Sequence, residues 1–335
     1  MRLRPLLGRR RAAAHPVPAA LVLDSLTPDR ERVVRTRDGV GLHVEEDGPA
    51  AAPLTVVFVH GFTARLAEWD LQRVALRGRP GTRLVLFDQR GHGRSEVGDL
   101  RRATIDQLGE DLADVLEAVV PTGPVVLAGH SMGGMSVMAW VRQHPGQLRA
   151  RVVGVFLMAT SAGSLVTTGP LGLWAKVLTR TRLLRPSLWL LQACTPLLER
   201  LRRRGTAAGY AFTRHYLFGA DDVDPGLVRA VQDLLEESPL TVQAAFWPAF
   251  VEHDERAALP LLRRVPVAVV CGDDDRLTPV SHNRAIAAAT GAELTVVPGA
   301  GHSVNISNQE VVDAALLRLV ERAVDATRPG AAGAA

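Results

Sequence analysis

Two short stretches of alternating apolar and polar residues open the regular part of the chain, at residues 32–37 and 40–45. Between them lie Asp38 and Gly39, a dipeptide typical of tight hairpin turns. Continuous apolar runs follow, and such runs are typical of strands buried on both faces of a sheet. These runs are residues 54–59, 84–87, 125–128, 152–158, 265–270 and 294–297. The pattern predicts an antiparallel start followed by buried strands.

Helical spacing of apolar residues fills most of the gaps between these runs. Residues 106–120 and 311–320 each place their apolar side chains on one stripe of a helix. Strands that alternate with helices indicate an α/β fold with a doubly wound, mostly parallel sheet. In such sheets the functional residues gather at the carboxyl ends of the strands. The candidate chemistry is therefore expected in the loops that follow the strands.

The alternation is interrupted at residues 161–255, where a helical sequence rich in Leu, Trp and Arg replaces the strands. A connection of about 95 residues is far longer than an ordinary loop and predicts an inserted helical cap, or lid. The core is then divided between residues 31–160 and 256–326. Residues 1–30 are expected to form a mobile basic arm, and residues 327–335 a disordered tail.

Composition narrows the class of protein. The chain has 335 residues, of which 47% are hydrophobic and 22% charged, as in ordinary globular proteins. A net charge of +4 is small for this length and gives no support to a nucleic-acid partner. Cys194 and Cys271 are too few for a disulfide framework and lack the clustering of a zinc site. We expect free thiols in a reducing compartment and no metal.

The first eleven residues contain five arginines, and no acidic residue precedes Asp24. A basic start of this kind is typical of export signals, but Pro16 and Pro18 interrupt the apolar stretch that follows. No clear cleavage site follows either. No later stretch reaches the roughly 18 apolar residues that a membrane-spanning helix needs. The sequence therefore predicts a cytoplasmic protein.

A Gly-His-Ser-Met-Gly sequence at residues 129–133 directly follows an apolar run and precedes a helix-forming stretch. A strand, Gly-x-Ser-x-Gly and a helix form a nucleophile elbow, a strained turn that raises the serine hydroxyl. Glycines are needed around that turn because neighbouring backbone passes close beneath it. This context predicts that Ser131 is a nucleophile rather than a helix-capping residue.

A serine hydroxyl is a poor nucleophile unless a base takes its proton and a carboxylate orients the base. His302 follows the last predicted strand and is the predicted base. Three adjacent aspartates follow the preceding strand, and only one of them can orient His302. These candidates are Asp273, Asp274 and Asp275.

Attack on a carbonyl creates an oxyanion, which two backbone N–H groups are expected to stabilise. One belongs to Met132, directly after the nucleophile, and the other to Phe62, in the loop after residues 54–59. The Phe62 ring is expected to border the acyl pocket. Three further histidines in loops are expected to form structural hydrogen bonds to local backbone. These are His60, His92 and His130.

Together these motifs resemble the α/β-hydrolase superfamily. The motifs that carry the resemblance are His60-Gly61-Phe62 and residues 88–95, 129–134, 272–279 and 301–302. The family's Gly-x-x-Asp-x-x-x-Pro pattern begins here at Gly272 and ends at Pro279. The resemblance therefore implies that Asp275 is the acid of a catalytic triad with Ser131 and His302.

The resemblance implies an esterase or lipase that cleaves the carboxylic ester of a hydrophobic acyl substrate through an acyl-enzyme intermediate. It implies neither a metal nor an organic cofactor. The same triad also serves thioesterases, C–C bond hydrolases, acyltransferases and cofactor-free perhydrolases. A hypothesis of another class is a non-catalytic receptor for a small ligand. The sequence does not indicate an oligomeric state.

The predicted cap holds a further hint about the substrate. Residues 161–205 contain eight cationic residues and one acidic residue, interleaved with leucines and tryptophans. The favoured interpretation is a lid whose apolar side packs on the core and whose arginines are solvated. The alternative is peripheral contact with an anionic membrane. The cationic residues are Lys176, Arg180, Arg182, Arg185, Arg200, Arg202, Arg203 and Arg204.

Overall fold

The computed structural model describes residues 25–165, 184–202, 205–220 and 222–327. Within these ranges eight strands form a sheet. In chain order they are β1 (Arg30–Arg35), β2 (Gly41–Asp47), β3 (Leu54–Val59), β4 (Thr82–Phe87), β5 (Val125–His130), β6 (Val152–Met158), β7 (Val267–Gly272) and β8 (Glu293–Val297). The spatial order is β1-β2-β4-β3-β5-β6-β7-β8.

Strand directions agree with the predicted α/β class. The β1 strand pairs antiparallel with β2, and β2 pairs antiparallel with β4. The remaining neighbours pair in parallel. Gly39 lies in the turn between β1 and β2 with a φ of 88°, a conformation that glycine adopts without steric cost. The predicted antiparallel start and mostly parallel sheet are confirmed.

Helices connect the strands. The helices of the described ranges are α1 (Asp70–Leu76), α2 (Ile105–Val119), α3 (Met132–Gln143), α4 (Pro145–Arg151), α5 (Leu184–Leu201), α6 (Ala207–Phe212), α7 (Pro225–Glu236), α8 (Leu240–Glu252), α9 (Leu259–Leu262), α10 (Val280–Thr290), α11 (Val304–Ser307) and α12 (Gln309–Thr327). A π-helical turn, Thr213–Leu217, continues α6. None of these helices is both long and apolar enough to cross a membrane.

Both faces of the sheet are covered. Successive residues of a strand point to opposite faces, so each central strand contributes to two cores. On one face Val57 and Leu127 pack with residues of α2, α3 and α10. On the other face Phe58 and Ala128 pack with residues of α1 and α12. The helices thus lie on both sides of a doubly wound sheet, which leaves the carboxyl ends of the strands free to hold a site.

Several helices lie between β6 and β7, in the region predicted as a cap. Of residues 161–255, those at 166–183, 203–204 and 221 lie outside the described ranges. Lys176, Arg180 and Arg182 fall in those gaps, as do Arg203 and Arg204. Residues 1–24 of the predicted arm and 328–335 of the predicted tail also lie outside. The domain boundaries and the lid remain predictions.

Several strand boundaries differ by one or two residues from the predicted runs, and the start of β7 has a clear cause. The β7 strand begins at Val267, although the apolar run begins at Val265. The backbone N–H of Val265 donates to the carbonyl of Leu262 at 3.2 Å, so this residue closes the turn after α9. It cannot also begin a ladder of the sheet. Both cysteines are free, with Cys194 exposed and Cys271 buried.

Candidate active site

A strained serine lies at the end of a central strand. Ser131 directly follows β5 and directly precedes α3, with φ 50° and ψ −118°. A positive φ is costly for a residue with a side chain and persists only where surrounding contacts hold it. The Ser131 N–H donates to the carbonyl of Met158 at 3.0 Å, and the Ser131 carbonyl accepts from Thr160 Oγ1 at 2.7 Å. The end of β6 therefore fixes this turn on both sides.

Two glycines allow the turn to form. A Cβ atom at Gly133 would lie 2.1 Å from the carbonyl oxygen of Val59, and one at Gly129 would lie 2.6 Å from that of Gly133. Real Cβ atoms do not approach backbone so closely. The first turn of α3 thus rests directly on the backbone of β3 and β5, as the sequence pattern required.

His302 and Asp275 are in direct contact. His302 Nδ1 donates to Asp275 Oδ2 at 2.8 Å, and both side chains are buried. The same carboxylate also accepts from the N–H groups of Leu277 at 2.8 Å and Thr278 at 2.9 Å, and from Thr278 Oγ1 at 2.7 Å. With its Nδ1 proton engaged, the neutral His302 ring presents Nε2 as an acceptor.

Burial would raise the pKa of Asp275, but the charge and hydrogen bond of His302 and the bonds from Thr278 outweigh burial. The pKa of Asp275 is consequently lowered from its usual value, and the carboxylate is ionised at neutral pH. The other two candidate aspartates have different partners. Asp273 accepts from the N–H of Gly299 at 2.6 Å, and Asp274 pairs with Arg276 at 3.3 Å.

His302 also lies beside the serine turn. His130, the residue before Ser131, places its ring 4.8 Å from the His302 ring, centroid to centroid. His130 Nε2 donates to the backbone carbonyl of His302 at 3.2 Å. The structure therefore places the His302–Asp275 pair beside the turn that holds Ser131, at the carboxyl ends of β5, β7 and β8.

A buried ion pair lies behind this site. His130 Nδ1 donates to Glu68 Oε1 at 2.8 Å, and Glu68 Oε2 accepts from the N–H of Gly61 at 2.8 Å. Both nitrogens of His130 thus face acceptors, an arrangement that the doubly protonated ring satisfies with two donated hydrogen bonds. The pair joins the loop after β3 to the turn that holds Ser131. The prediction that His130 bonds to local backbone is wrong, because its partners lie on distant segments.

Burial acts against both charges of this pair, and the pairing overcomes it. Burial lowers the pKa of His130, but the charge and hydrogen bond of Glu68 raise it more, so the net shift is upward. Burial raises the pKa of Glu68, but the charge and hydrogen bond of His130 lower it more, so the net shift is downward. Each partner thus keeps the other ionised.

Replacing Glu68 with glutamine is expected to lower the free energy of unfolding by about 2–3 kcal/mol, because His130 loses its buried counter-charge. The lowered Glu68 pKa gives stabilisation that is complete above the ordinary glutamate pKa and is lost as the pH falls through the folded value. The raised His130 pKa gives stabilisation that is complete below the ordinary histidine pKa and is lost as the pH rises through the folded value. The effect should therefore be largest between about pH 5 and 6.

Urea denaturation of wild type and Glu68→Gln across this pH range measures the difference. The exposed Glu117 on α2 provides the matched control, since Glu117→Gln removes a carboxylate of the same kind from solvent. If the free energies of unfolding of wild type and Glu68→Gln differed by the same amount at every pH, the charge pairing of Glu68 with His130 would not contribute to stability.

The two other loop histidines bond to local backbone, as predicted. His60 Nδ1 donates to the Gly61 carbonyl at 2.7 Å, and its Nε2 accepts from the N–H of Gln89 at 2.9 Å. His92 Nδ1 donates to the Arg90 carbonyl at 2.9 Å. Burial lowers the pKa of both rings, that of His92 to about 3. These histidines are neutral scaffolding groups.

The predicted oxyanion donors lie on either side of the serine turn. Met132 is the first residue of α3, where an N–H has no partner within the helix. Phe62 follows Gly61, whose own N–H is held by Glu68. Within the described ranges, neither the Phe62 nor the Met132 N–H donates to a protein acceptor. Both are available to a bound oxygen atom.

An aromatic group borders this loop. The Phe62 ring contacts Phe250 at a centroid distance of 4.8 Å and Phe246 at 6.1 Å, and both phenylalanines belong to α8. Met132 is fully buried in the same apolar cluster. The surroundings of the candidate oxyanion donors are therefore apolar.

A second histidine cluster escaped the sequence analysis. Ser161 Oγ lies 2.7 Å from His282 Nδ1, and the Ser161 carbonyl accepts from His253 Nε2 at 2.7 Å. Ser161 lies about a hundred positions before either histidine, and no local sequence pattern predicts these contacts. They join the end of β6 to α10 and to the segment after α8.

A group of potential metal ligands lies at the antiparallel side of the sheet, comprising Glu31, His43 and Glu45. Arg73 Nη1 contacts Glu45 at 2.6 Å, and the guanidinium of Arg94 contacts both carboxylates. The donor set is thus already neutralised by arginine and does not fit a metal centre.

An open, mostly parallel sheet with a strained serine between a central strand and a helix is the arrangement of the α/β-hydrolase fold. The chain belongs to the α/β hydrolase family, whose model matches residues 56–314. This agrees with the resemblance seen in the sequence motifs.

The chain is similar to several known esterases and haloperoxidases. The chain is 36% identical over 121 residues to the bifunctional esterase/perhydrolase of Acinetobacter calcoaceticus, an alignment covering 36% of this chain but only 42% of that protein. It is 29% identical over 277 residues to the non-heme haloperoxidase of Rhodococcus erythropolis, covering 79% of this chain and 92% of that protein. A thermophilic esterase from Thermogutta terrifontis shares the fold with a TM-score of 0.66 and 24% identity, covering 88% and 99% of the two chains.

Proposed function

We propose that this α/β hydrolase is a serine esterase that cleaves the carboxylic ester of a hydrophobic acyl substrate. The observation that carries the proposal is the contact of 2.8 Å between His302 Nδ1 and the ionised Asp275, beside the strained Ser131. A histidine held in this way keeps Nε2 free to take a proton from a serine. A non-catalytic receptor needs no such arrangement.

In the proposed reaction Ser131 Oγ attacks the ester carbonyl while His302 Nε2 takes the hydroxyl proton. The carbonyl oxygen becomes negative and accepts hydrogen bonds from the N–H groups of Phe62 and Met132. His302 then gives its proton to the leaving alcohol as the C–O bond breaks. Water, activated by His302, releases the carboxylic acid and restores Ser131. Asp275 stays ionised and orients His302 throughout.

The apolar surroundings of Phe62 support a hydrophobic acyl group. Phe246 and Phe250 pack against the Phe62 ring, and their helix lies in the region proposed to act as a lid. An acyl chain bound here would replace water at apolar side chains, which is favourable. We propose that residues 161–255, the region that contains this helix, form the lid of the site.

The name of the relative from Acinetobacter calcoaceticus supports a second candidate, perhydrolysis. In that reaction hydrogen peroxide, instead of water, attacks the acyl-enzyme in the second step. The acyl group leaves as a peroxy acid and Ser131 is restored. The same acyl-enzyme serves both reactions, so the two activities can coexist on one site.

Labelling with a fluorophosphonate tests the nucleophile, and turnover of p-nitrophenyl esters from acetate to palmitate tests the acyl preference. We expect one label per chain, on the peptide that contains Ser131, and an optimum at a medium or long chain. A folded protein that takes up no label would contradict the proposal. Labelling without turnover of any ester would instead favour an acyltransferase, in which the acyl group passes to an acceptor other than water.

A further inference from the structure

The α5 helix directs polar side chains toward α8 and exposes five large apolar side chains. Gln192 Nε2 donates to the Ala244 carbonyl of α8 at 3.3 Å, and Glu199 Oε2 accepts from the N–H of Leu240 at 2.7 Å. Thr195, on the same side, is buried. The opposite side exposes Trp189 by 68%, Leu190 by 58%, Leu197 by 59%, Leu198 by 43% and Leu201 by 68%. These five residues are called the α5 apolar face below.

A group of exposed large apolar side chains of this size is unusual on the solvent side of a surface helix. These five exposed side chains take no part in the predicted packing of the cap on the core, and for the cap as a whole that packing stays a prediction. The inward side must meet backbone groups of α8, which need hydrogen-bonding partners and receive them from Gln192 and Glu199. Leucines and a tryptophan grouped on the outside are unfavourable in water and mark a contact surface.

The charges of the helix indicate what covers this face. Glu199 is the single carboxylate in the α5 sequence, and it is turned inward onto Leu240. The helix sequence has arginines toward both ends, at Arg185 and Arg200. The Arg200 side chain is exposed. The outer side of α5 thus combines an apolar strip with the exposed Arg200, while the partly exposed Glu199 is engaged by the Leu240 N–H and by Arg202.

We infer that the α5 apolar face binds the surface of an anionic phospholipid membrane. Leucine side chains insert at the boundary between the headgroups and the acyl chains, and a tryptophan side chain is favourable among the headgroups. Arginines attract anionic lipids. A second copy of the chain is a poorer occupant. A second copy would present the same positively charged face across a twofold axis, and like charges repel.

The same face is close to the candidate site. α5 packs on α8, and α8 supplies the phenylalanines that contact Phe62. A membrane bound at α5 would therefore lie one helix away from the acyl-binding surroundings. This inference rests on the proposed ester hydrolysis and adds a substrate class, namely esters dissolved in a lipid bilayer.

Flotation with vesicles of phosphatidylcholine, with and without phosphatidylglycerol, tests the inference. We expect wild type to bind the anionic vesicles about tenfold more than the neutral ones, and added salt to weaken the binding. The double variant Trp189→Asp with Leu197→Asp should lose that binding by about tenfold or more. Val311→Asp, which places the same charge on an exposed apolar residue of α12, should bind as wild type does.

Turnover of p-nitrophenyl acetate is measured on every variant, since this soluble ester does not require a membrane. Unchanged turnover in a double variant that no longer floats supports the inference. Wild type that hydrolyses the ester yet ignores anionic vesicles overturns the inference and leaves the proposed function intact. A wild-type dimer that the double variant dissociates, without vesicle binding, also overturns it. Wild type without any hydrolysis would instead contradict the proposed function.

Discussion

Ser131→Ala is expected to lower kcat on a p-nitrophenyl ester by about 10⁵-fold or more, because no other group can form the acyl-enzyme. The backbone of the turn is held by Met158 and Thr160 through main-chain atoms of residue 131, and alanine keeps those bonds. The variant should therefore fold as wild type does. Initial rates, together with thermal unfolding, separate the loss of chemistry from a loss of structure.

Ser307→Ala is the matched control for this experiment. Ser307 lies in α11, and its hydroxyl donates to the Ser303 carbonyl at 3.4 Å and accepts from Asn308 Nδ2 at 2.9 Å, away from His302. The control should retain wild-type turnover. A Ser131→Ala variant that remains within about tenfold of wild type would remove Ser131 from the reaction.

Asp275→Asn is expected to lower kcat by about 10⁴-fold. An amide can donate to His302 Nδ1, which favours the tautomer with its proton on Nε2 and so leaves no acceptor for the serine proton. The amide also cannot accept all the bonds that the carboxylate takes from Leu277, Thr278 and His302. Urea denaturation alongside the kinetics shows how much of the loss comes from a loosened loop.

The neighbouring aspartates make this prediction selective. Asp273 and Asp274 bond to Gly299 and Arg276 rather than to His302. Asp273→Asn and Asp274→Asn should each stay within about tenfold of wild type, because the His302 ring keeps its orientation. If one of them lost as much activity as Asp275→Asn, the assignment of the acid would be wrong.

Features governed by local sequence could be predicted. The β3 and β6 strands begin and end where their apolar runs do, because strands buried on both faces are read as near-continuous apolar runs. The serine turn was recognisable because a strand that enters a helix through a tight turn needs glycines beside the nucleophile. Spacing alone, however, does not show which of the three adjacent aspartates orients His302. Only the family's Gly-x-x-Asp-x-x-x-Pro pattern selects Asp275.

Features governed by distant pairing could not be predicted. Glu68 and His130 are 62 residues apart, and Glu68 lies in a short 3₁₀ helix with no motif of its own. The contact of Ser161 with His282 is equally remote in sequence. The orientation of α5 depends on which of its sides contacts the backbone of α8. The periodicity of apolar residues does not predict that contact. Such contacts exist only after the fold has placed the segments.

The antiparallel end of the sheet bears on self-association. An edge strand offers unpaired backbone groups to any strand that can reach it, and β1 is such an edge. Four of its six residues are charged, in the sequence RERVVR. These side chains are engaged in ion pairs with Glu46, Glu96 and Arg94, which a second chain added at this edge would crowd or break. Charged side chains along the strand thus disfavour continuation of the sheet into an aggregate.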